Sequence, residues 1–396
     1  MPKAPNCILR LADGKNKKEM GDCNTMSSVV QACIRYLKKE IVLTVAMILA
    51  LVSAFFVPPS TAYFSYIDWD TLALLFSMMA VMKGVQQAGA FDHLGNYLLS
   101  KTATSRQMLF ILVFLPFFVS MLVTNDVALL TFVPFALIVL RMAEMEHLVV
   151  PLVVLQTLAA NLGSMLTPMG NPQNLYFYTQ SGFSFLQFCG VMAPYVLLSG
   201  VCIGALIFLQ PSGKVSRVSV EIPPLDRRSL LIGGIGFLLC LLGIFDWLEP
   251  LLVAAVVAAF LLIKDRKLLC KVDYALLATF LAFFVFVGNM GSMTAVREFF
   301  VSILAGREVL VAVLASQIIS NVPAALLLSG FSSQWAGLIV GCNLGGLGTL
   351  IASMASLISY KLVAKEYPGR RGRYFLWFTL SNLLLLGILL VAAYLL

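Results

Sequence analysis

From residue 41 onward the chain is a succession of long apolar runs separated by short polar segments. About 20 consecutive apolar residues let an α-helix cross the hydrocarbon core of a bilayer. The runs predict full spans over residues 41–57, 71–91, 148–178, 185–209, 229–245, 250–263, 274–293, 334–359 and 374–396. Residues 108–142 and the stretch around Ser320-Asn321 each predict a re-entrant hairpin, because a short polar tip interrupts an apolar run whose two ends need the same side. The expected fold is therefore an all-α polytopic membrane protein of about nine full spans plus two hairpins, with Pro58-Pro59 closing the first span.

Two polar islands organise this pattern. Thr124-Asn125-Asp126 sits between apolar residues 108–123 and 127–140. A carboxylate there costs roughly 2.5–3.5 kcal/mol on insertion scales, so it is expected to face a partner or a watery cavity. The continuation from Asn161 to Asn174 holds Thr167-Pro168-Met169-Gly170-Asn171-Pro172-Gln173-Asn174, where two prolines and a glycine break the helix at 168–174. Unpaired backbone survives at membrane depth only inside protein or beside a cavity, as in a transporter's solute site. A second copy follows: Ser320-Asn321-Val322-Pro323 interrupts another apolar stretch, and the span over 334–359 is broken by glycines at 345–349.

The basic loops orient the threading. With residues 1–40 inside, Lys101, Arg106, Lys214, Arg227, Arg228, Lys264, Arg266, Lys267, Lys361, Lys365, Arg370, Arg371 and Arg373 all fall on one side, as the positive-inside rule expects. Only Arg297–Arg307, expected as an outer loop, strains it. The N-terminus is then cytoplasmic and the C-terminus outside. Each half reads span, span, hairpin, broken span, span, once starting inside and once outside. The domain plan is a basic segment 1–40, a first repeat 41–209, a linker and connecting helix 210–249, and an inverted repeat 250–396. Asp68-Trp69-Asp70 before the second span is echoed by Asp273-Tyr274 in the second half. Inverted-topology repeats place a solute site at their interface near mid-membrane.

Composition supports this class. Of 396 residues, 60% are hydrophobic and 12% charged, with a mean hydropathy of +0.94, against about 25% charged in soluble domains. The net charge of +8 belongs to the loops and is no nucleic-acid footprint. Residues 1–40 carry eight Lys/Arg against four acids. A face of Val30, Cys33, Ile34 and Leu37 there fits an interfacial helix, and a plain juxtamembrane segment fits equally. The eight cysteines lack CxxC spacing and read as free thiols. No phosphate-binding loop, metal cluster or catalytic triad is visible, so an enzyme is not expected; a cofactor is not expected either, and Na⁺ or H⁺ would supply the energy.

At these motifs the sequence resembles the ion transporter superfamily, in particular its arsenite permease and sodium/proton antiporter branch, related to the divalent anion:sodium symporters and citrate transporter-like permeases. Thr124-Asn125-Asp126 and Ser320-Asn321-Val322 resemble the two hairpin-tip motifs, and Thr167–Asn174 the proline-rich break. The resemblance implies a scaffold half, a transport half with an elevator-like motion, and a homodimer. In the symporters each tip reads Ser-Asn-Thr and binds a carboxylate plus sodium; here Asp126 and Val322 stand at the third positions. Carried over by position, Asn125, Gly170 and Asn171 bound one ion or anion pocket, while Asn321, Gly348 and Thr349 bound its counterpart. Thr124 and Ser320 add hydroxyls, Asn161, Thr167, Pro172, Asn174 and Pro323 complete the candidate set, and Na⁺ could sit transiently at Asn125, Gly170, Asn321 and Gly348. The tip asparagines could instead cap helix ends, and Asp126 could cap the helix after it. Gln156, Thr157, Asn161 and Ser164 share a face, and Asn289 is expected to join them; His93 and His147 read as interfacial. The expected function is secondary active transport of a small, carboxylate-like anion coupled to Na⁺ or H⁺ in the inner or plasma membrane. The alternative is Na⁺/H⁺ antiport or arsenite-like oxyanion efflux.

Overall fold

The computed structural model describes residues 40–210, 212–214 and 222–396. The basic N-terminal segment, its expected helix face and Cys7, Cys23 and Cys33 lie outside the described residues. The described residues form nineteen α-helices and three 3-10 turns. Among the described residues the only strand-like pairing is an isolated bridge between Thr104 and Lys214.

The first half runs α1 (Ile41–Phe56), α2 (Ala62–Tyr66), α3 (Trp69–Gln87), α4 (Ala90–Leu99), α5 (Ser105–Val119), α6 (Asn125–Met142), α7 (Val149–Gly163), α8 (Pro172–Ser181) and α9 (Phe185–Phe208). A connecting helix, α10 (Arg227–Ile244), leads to the second half. That half runs α11 (Pro250–Lys264), α12 (Arg266–Leu269), α13 (Tyr274–Ser292), α14 (Thr294–Leu304), α15 (Glu308–Ile319), α16 (Asn321–Ser329), α17 (Trp335–Leu344), α18 (Met354–Glu366) and α19 (Arg371–Leu395).

Side chains fix the helix ends. Thr104 with Gln107, and Ser184 with Gln187, form capping boxes that start α5 and α9. Asp68, Asp226, Asp265 and Asp273 cap α3, α10, α12 and α13 by accepting from first-turn amides. Gly89 adopts the left-handed conformation (φ 78°) just beyond α3, which turns the chain into α4 where a continuous span to residue 91 was expected.

Among the described residues six helices or helix segments are long and apolar enough to cross a membrane, seven if the pair α14 and α15, bent by 112°, is counted as one span. Five of the six belong to the nine expected spans and the sixth is α6, expected as an arm of the first hairpin; the other four expected spans fall short for identifiable reasons. Helices α1 and α11 have 16 and 15 residues, just short of a full crossing. Helix α3 is long enough but contains Asp70, Lys83, Gln86 and Gln87, and the second broken span is divided between α17 and α18. Exposed large apolar side chains cover the outer helices, among them Leu51 and Phe55 on α1, Leu197 and Val201 on α9, and Leu376 and Leu380 on α19. Apolar surface on that scale is what lipid covers, and the protein is an integral membrane protein.

Every residue of α7 is buried, and the rest is packed around it. Helix α5 lies on α7 as α15 lies on α17; α6 packs against α18, and α16 against α8; α19 meets α7, and α9 meets α17. Helix α1 pairs with α13, while α3 is flanked by α10 and α11.

Candidate functional site

Both hairpins turn where the sequence places them. The first tip is residues 120–124 and α6 begins at Asn125. The second turn is a single residue, Ser320, whose φ of 74° reverses the chain between α15 and α16. The two tips share a local geometry: the side-chain oxygen of Asn125 accepts from the Asp126 amide at 2.9 Å, and that of Asn321 from the Val322 amide at 3.0 Å. Each asparagine thus occupies an otherwise unmatched first-turn donor.

The breaks differ in extent from the expectation. Helix α7 stops at Gly163 and α8 begins at Pro172, so the first break spans residues 164–171. Pro172 opens a helix here, because the first helical position needs no amide hydrogen. Pro168, Met169 and Gly170 form a 3-10 turn within the gap. A Cβ on Gly170 would stand 2.1 Å from the Ser164 carbonyl oxygen, so only glycine admits this backbone approach. The second break reaches beyond Thr349, from Gly345 to Ser353.

The breaks cross. Asn161, at the end of α7, accepts from Asn125 Nδ2 at 3.0 Å and from Ser353 Oγ at 3.2 Å, and donates to Ser356 Oγ at 3.3 Å. In return Asn343, at the end of α17, donates to Asn174 Oδ1 on α8 at 2.7 Å. Asn174 spans the first break by donating toward the carbonyls of Ser164 and Thr167 at 3.2 and 3.3 Å. Asn171 donates to Ser164 Oγ at 2.8 Å, and Thr167 donates to the Met121 carbonyl, tying the break to the first tip. Asn125, Asn161, Asn171, Asn174, Asn321 and Asn343 are all buried, where a lost partner is costly.

The remaining candidates are placed less centrally. Asn321 donates its amide to the Ala352 carbonyl at 3.0 Å, and Ser320 Oγ donates to the same oxygen at 3.3 Å. Gly348 and Thr349 gather instead around Gln317: its Nε2 donates to the Gly345 and Leu347 carbonyls at 3.0 and 2.9 Å, and its Oε1 accepts from the Thr349 amide at 2.9 Å. Val322 and Pro323 occupy the first turn of α16, where Val322 is partly buried and Pro323 buried. Thr124 precedes α6 and makes no side-chain cap there. Gln156 donates to the Leu112 carbonyl at 2.8 Å and toward that of Phe132 at 3.4 Å, holding both hairpin arms. Asn289 lies elsewhere: α13 is continuous through it, and it donates to Ser53 Oγ and Tyr63 Oη at 2.9 Å each. Asn343, Ser353, Ser356 and Gln317 were missed. The register of Asn161-Leu162-Gly163 and Thr167 against Asn343-Leu344-Gly345 and Thr349 could have found the first three.

Asp126 lies in the first turn of α6, one position inside the helix and not at its cap. One of its carboxylate oxygens is enclosed and has no hydrogen-bond partner. Lys83 donates to Gln86 Oε1 at 3.3 Å, and Gln86 donates to Thr131 Oγ1 at 2.8 Å, five residues beyond Asp126 on α6. No group of three or more metal-ligating side chains occurs among the described residues.

Residues 31–334 match the citrate transporter family. The chain is 33% identical to a protein of Methanocaldococcus jannaschii named as an uncharacterized transporter, over 76% of this chain and 82% of that one. It is 31% identical to the inner membrane protein YbiR of Escherichia coli, over 78% and 84% of the two chains. A silicon efflux transporter of Oryza sativa is 33% identical over 37% of this chain and 30% of its own length. Two hairpins, two broken helices, and a match over most of the chain make it a membrane transporter that belongs to the citrate transporter family of the ion transporter superfamily.

Proposed function

We propose that the protein is a secondary active transporter that moves a small, carboxylate-like anion coupled to Na⁺ or H⁺. The observation that carries this reading is the enclosed, unpartnered oxygen of Asp126, one residue from an asparagine that is bonded into the crossed breaks. An unmatched carboxylate oxygen at membrane depth is a place for a cation or a proton. Amide hydrogens at the starts of α6, α8, α16 and α18 favour the anion. The element order supports inverted repeats: short or long span, amphipathic helix, hairpin, broken span, span, in both halves. Packing supports the same pseudo-symmetry, since the α1–α13 contact mirrors that of α3 with α11. On this reading α5–α8 and α15–α18 form a transport unit that moves elevator-fashion against a scaffold containing α1, α3, α11 and α13. The N-terminus is cytoplasmic, the C-terminus outside, and the protein is a homodimer of the cell membrane.

A second reading is Na⁺/H⁺ antiport or efflux of an oxyanion resembling arsenite. Asp126 favours it, because a negative charge at a tip repels an anionic solute, and one relative is named as a silicon efflux transporter. Counterflow in proteoliposomes separates the readings. Saturable accumulation of one labelled carboxylate driven by its unlabelled counterpart supports the first. Cation exchange that proceeds with no anion added supports the second.

A further inference from the structure

Helices α10 and α11 are joined by the short connection 245–249 and both pack on α3. Gly233 and Gly236 let α10 settle on Val85 and Val81 of α3; a Cβ there would stand 2.6 and 3.0 Å from their methyl groups. Away from the connection the two helices leave a groove of about 720 Å3 between them, floored by α3 at Val81 and Gly84. Its walls include Ile232 and Ile235 from α10 and Val256 and Phe260 from α11, all of them exposed. Its mouth is polar, with Arg228 and Lys264 beside Asp226 and Asp265.

The two acids at the mouth are already engaged. Asp226 accepts from the Arg228 and Ser229 amides at 3.1 Å and from Ser229 Oγ at 2.6 Å, and Asp265 accepts from the Lys267 and Leu268 amides at 3.1 and 3.3 Å. Among the described residues neither Arg228 nor Lys264 has a carboxylate oxygen within 4.0 Å of its side-chain nitrogens, and the Arg228 guanidinium acts on Asp226 only from beyond that distance. Arg227, Arg266 and Lys267 add positive charge at the same end.

We infer that this groove binds one acyl chain of an anionic phospholipid, whose phosphate is held by Arg228 and Lys264. An apolar channel that opens on cations without a close carboxylate at a basic membrane face matches that amphiphile in both parts, and the volume lies in the range of small-molecule sites. The lipid fills the wedge between the connecting helix and α11 and splints both onto α3. The inference does not depend on the transport reading.

Native mass spectrometry of the full chain tests it, with phosphatidylglycerol and phosphatidylcholine of identical acyl chains as probes. Wild type should retain phosphatidylglycerol with an apparent affinity roughly thirtyfold above phosphatidylcholine, as two surface cations would give. Arg228→Gln with Lys264→Gln should bring the two lipids level, Arg228→Lys with Lys264→Arg should keep the preference, and Ile235→Trp should weaken both lipids by occupying the groove. All these positions are exposed, so the fold should survive. Equal phosphatidylglycerol retention by wild type and the Gln variant would overturn the site. So would an Ile235→Trp protein that changes only its monomer–dimer ratio, which would make a second copy the occupant.

Discussion

Asn343 donates to Asn174 at 2.7 Å, and Asn161 donates to Ser356 at 3.3 Å. When Asn161 is aligned with Asn343, Asn174 falls on Ser356, so the two hydrogen bonds are counterparts. Each runs from the helix before one break to the helix after the other. The two breaks are thereby locked into one polar seam inside an apolar bundle, and neither can shift without the other. The seam should behave as a coupled unit. Asn343→Ala and Asn174→Ala should each cost about 1–3 kcal/mol. The double variant should cost little more than the worse single one, because both substitutions remove the same bond. Thermal unfolding of the four proteins in one detergent provides the cycle; additive losses would mean that the two side chains act separately.

Gly170 should tolerate no side chain. A Cβ there meets backbone at 2.1 Å, whereas one at Gly190 on α9 meets nothing within 4 Å. Gly170→Ala should destabilise the protein by about 1–3 kcal/mol or more and abolish flux. Gly190→Ala should be neutral or slightly stabilising, as for any helix-interior glycine in open space. Melting temperature and uptake, measured together on both variants, check the contrast.

Gln317 should prove as important as the tip asparagines. Its amide nitrogen holds two carbonyls of the second break and its oxygen holds the Thr349 amide. Gln317→Glu keeps the acceptor but sets a carboxylate against two carbonyl oxygens, so it should lose more transport than Gln317→Met. Initial uptake rates normalised to protein in the bilayer distinguish the two, and the opposite order would contradict this role.

The connecting helix should carry a pH dependence of its own. The Ser229 hydroxyl, and then its amide, hold the Asp226 carboxyl below the usual aspartate value. A carboxyl whose folded value is depressed stabilises the helix fully above its unfolded value and loses that contribution as pH falls through the folded one. Ser229→Ala should therefore raise the Asp226 titration toward the ordinary range. Carboxyl-carbon chemical shifts followed against pH would record it.

The hairpin tips and breaks were legible because Asn, Pro and Gly stand out in apolar runs. Helices α4 and α14 are not: beyond Phe91 the first lies in a stretch whose pattern reads as a loop, and the second in one that reads as a charged loop, although both are amphipathic helices that lead into the hairpins. Pro172 misled the first break's boundary, since proline stops a helix from within but opens one at its first position. Asn289 resembles a tip residue because Gly288 and Gly291 flank it. The missing Cβ of Gly288 instead admits the Tyr66 ring, which it would meet at 2.3 Å, and the helix runs on unbroken. Gln317 gave no local signal, because its partners lie about thirty residues away, across the second break.

If a cation couples at Asp126, H⁺ and Na⁺ flux in proteoliposomes will separate wild type from Asp126→Asn. The substitution keeps the size of the side chain and removes its charge. Wild-type flux should respond to an imposed Na⁺ or pH gradient and the variant's flux should not, with transport reduced at least tenfold. Unchanged rate and unchanged gradient dependence in the variant would contradict coupling at Asp126.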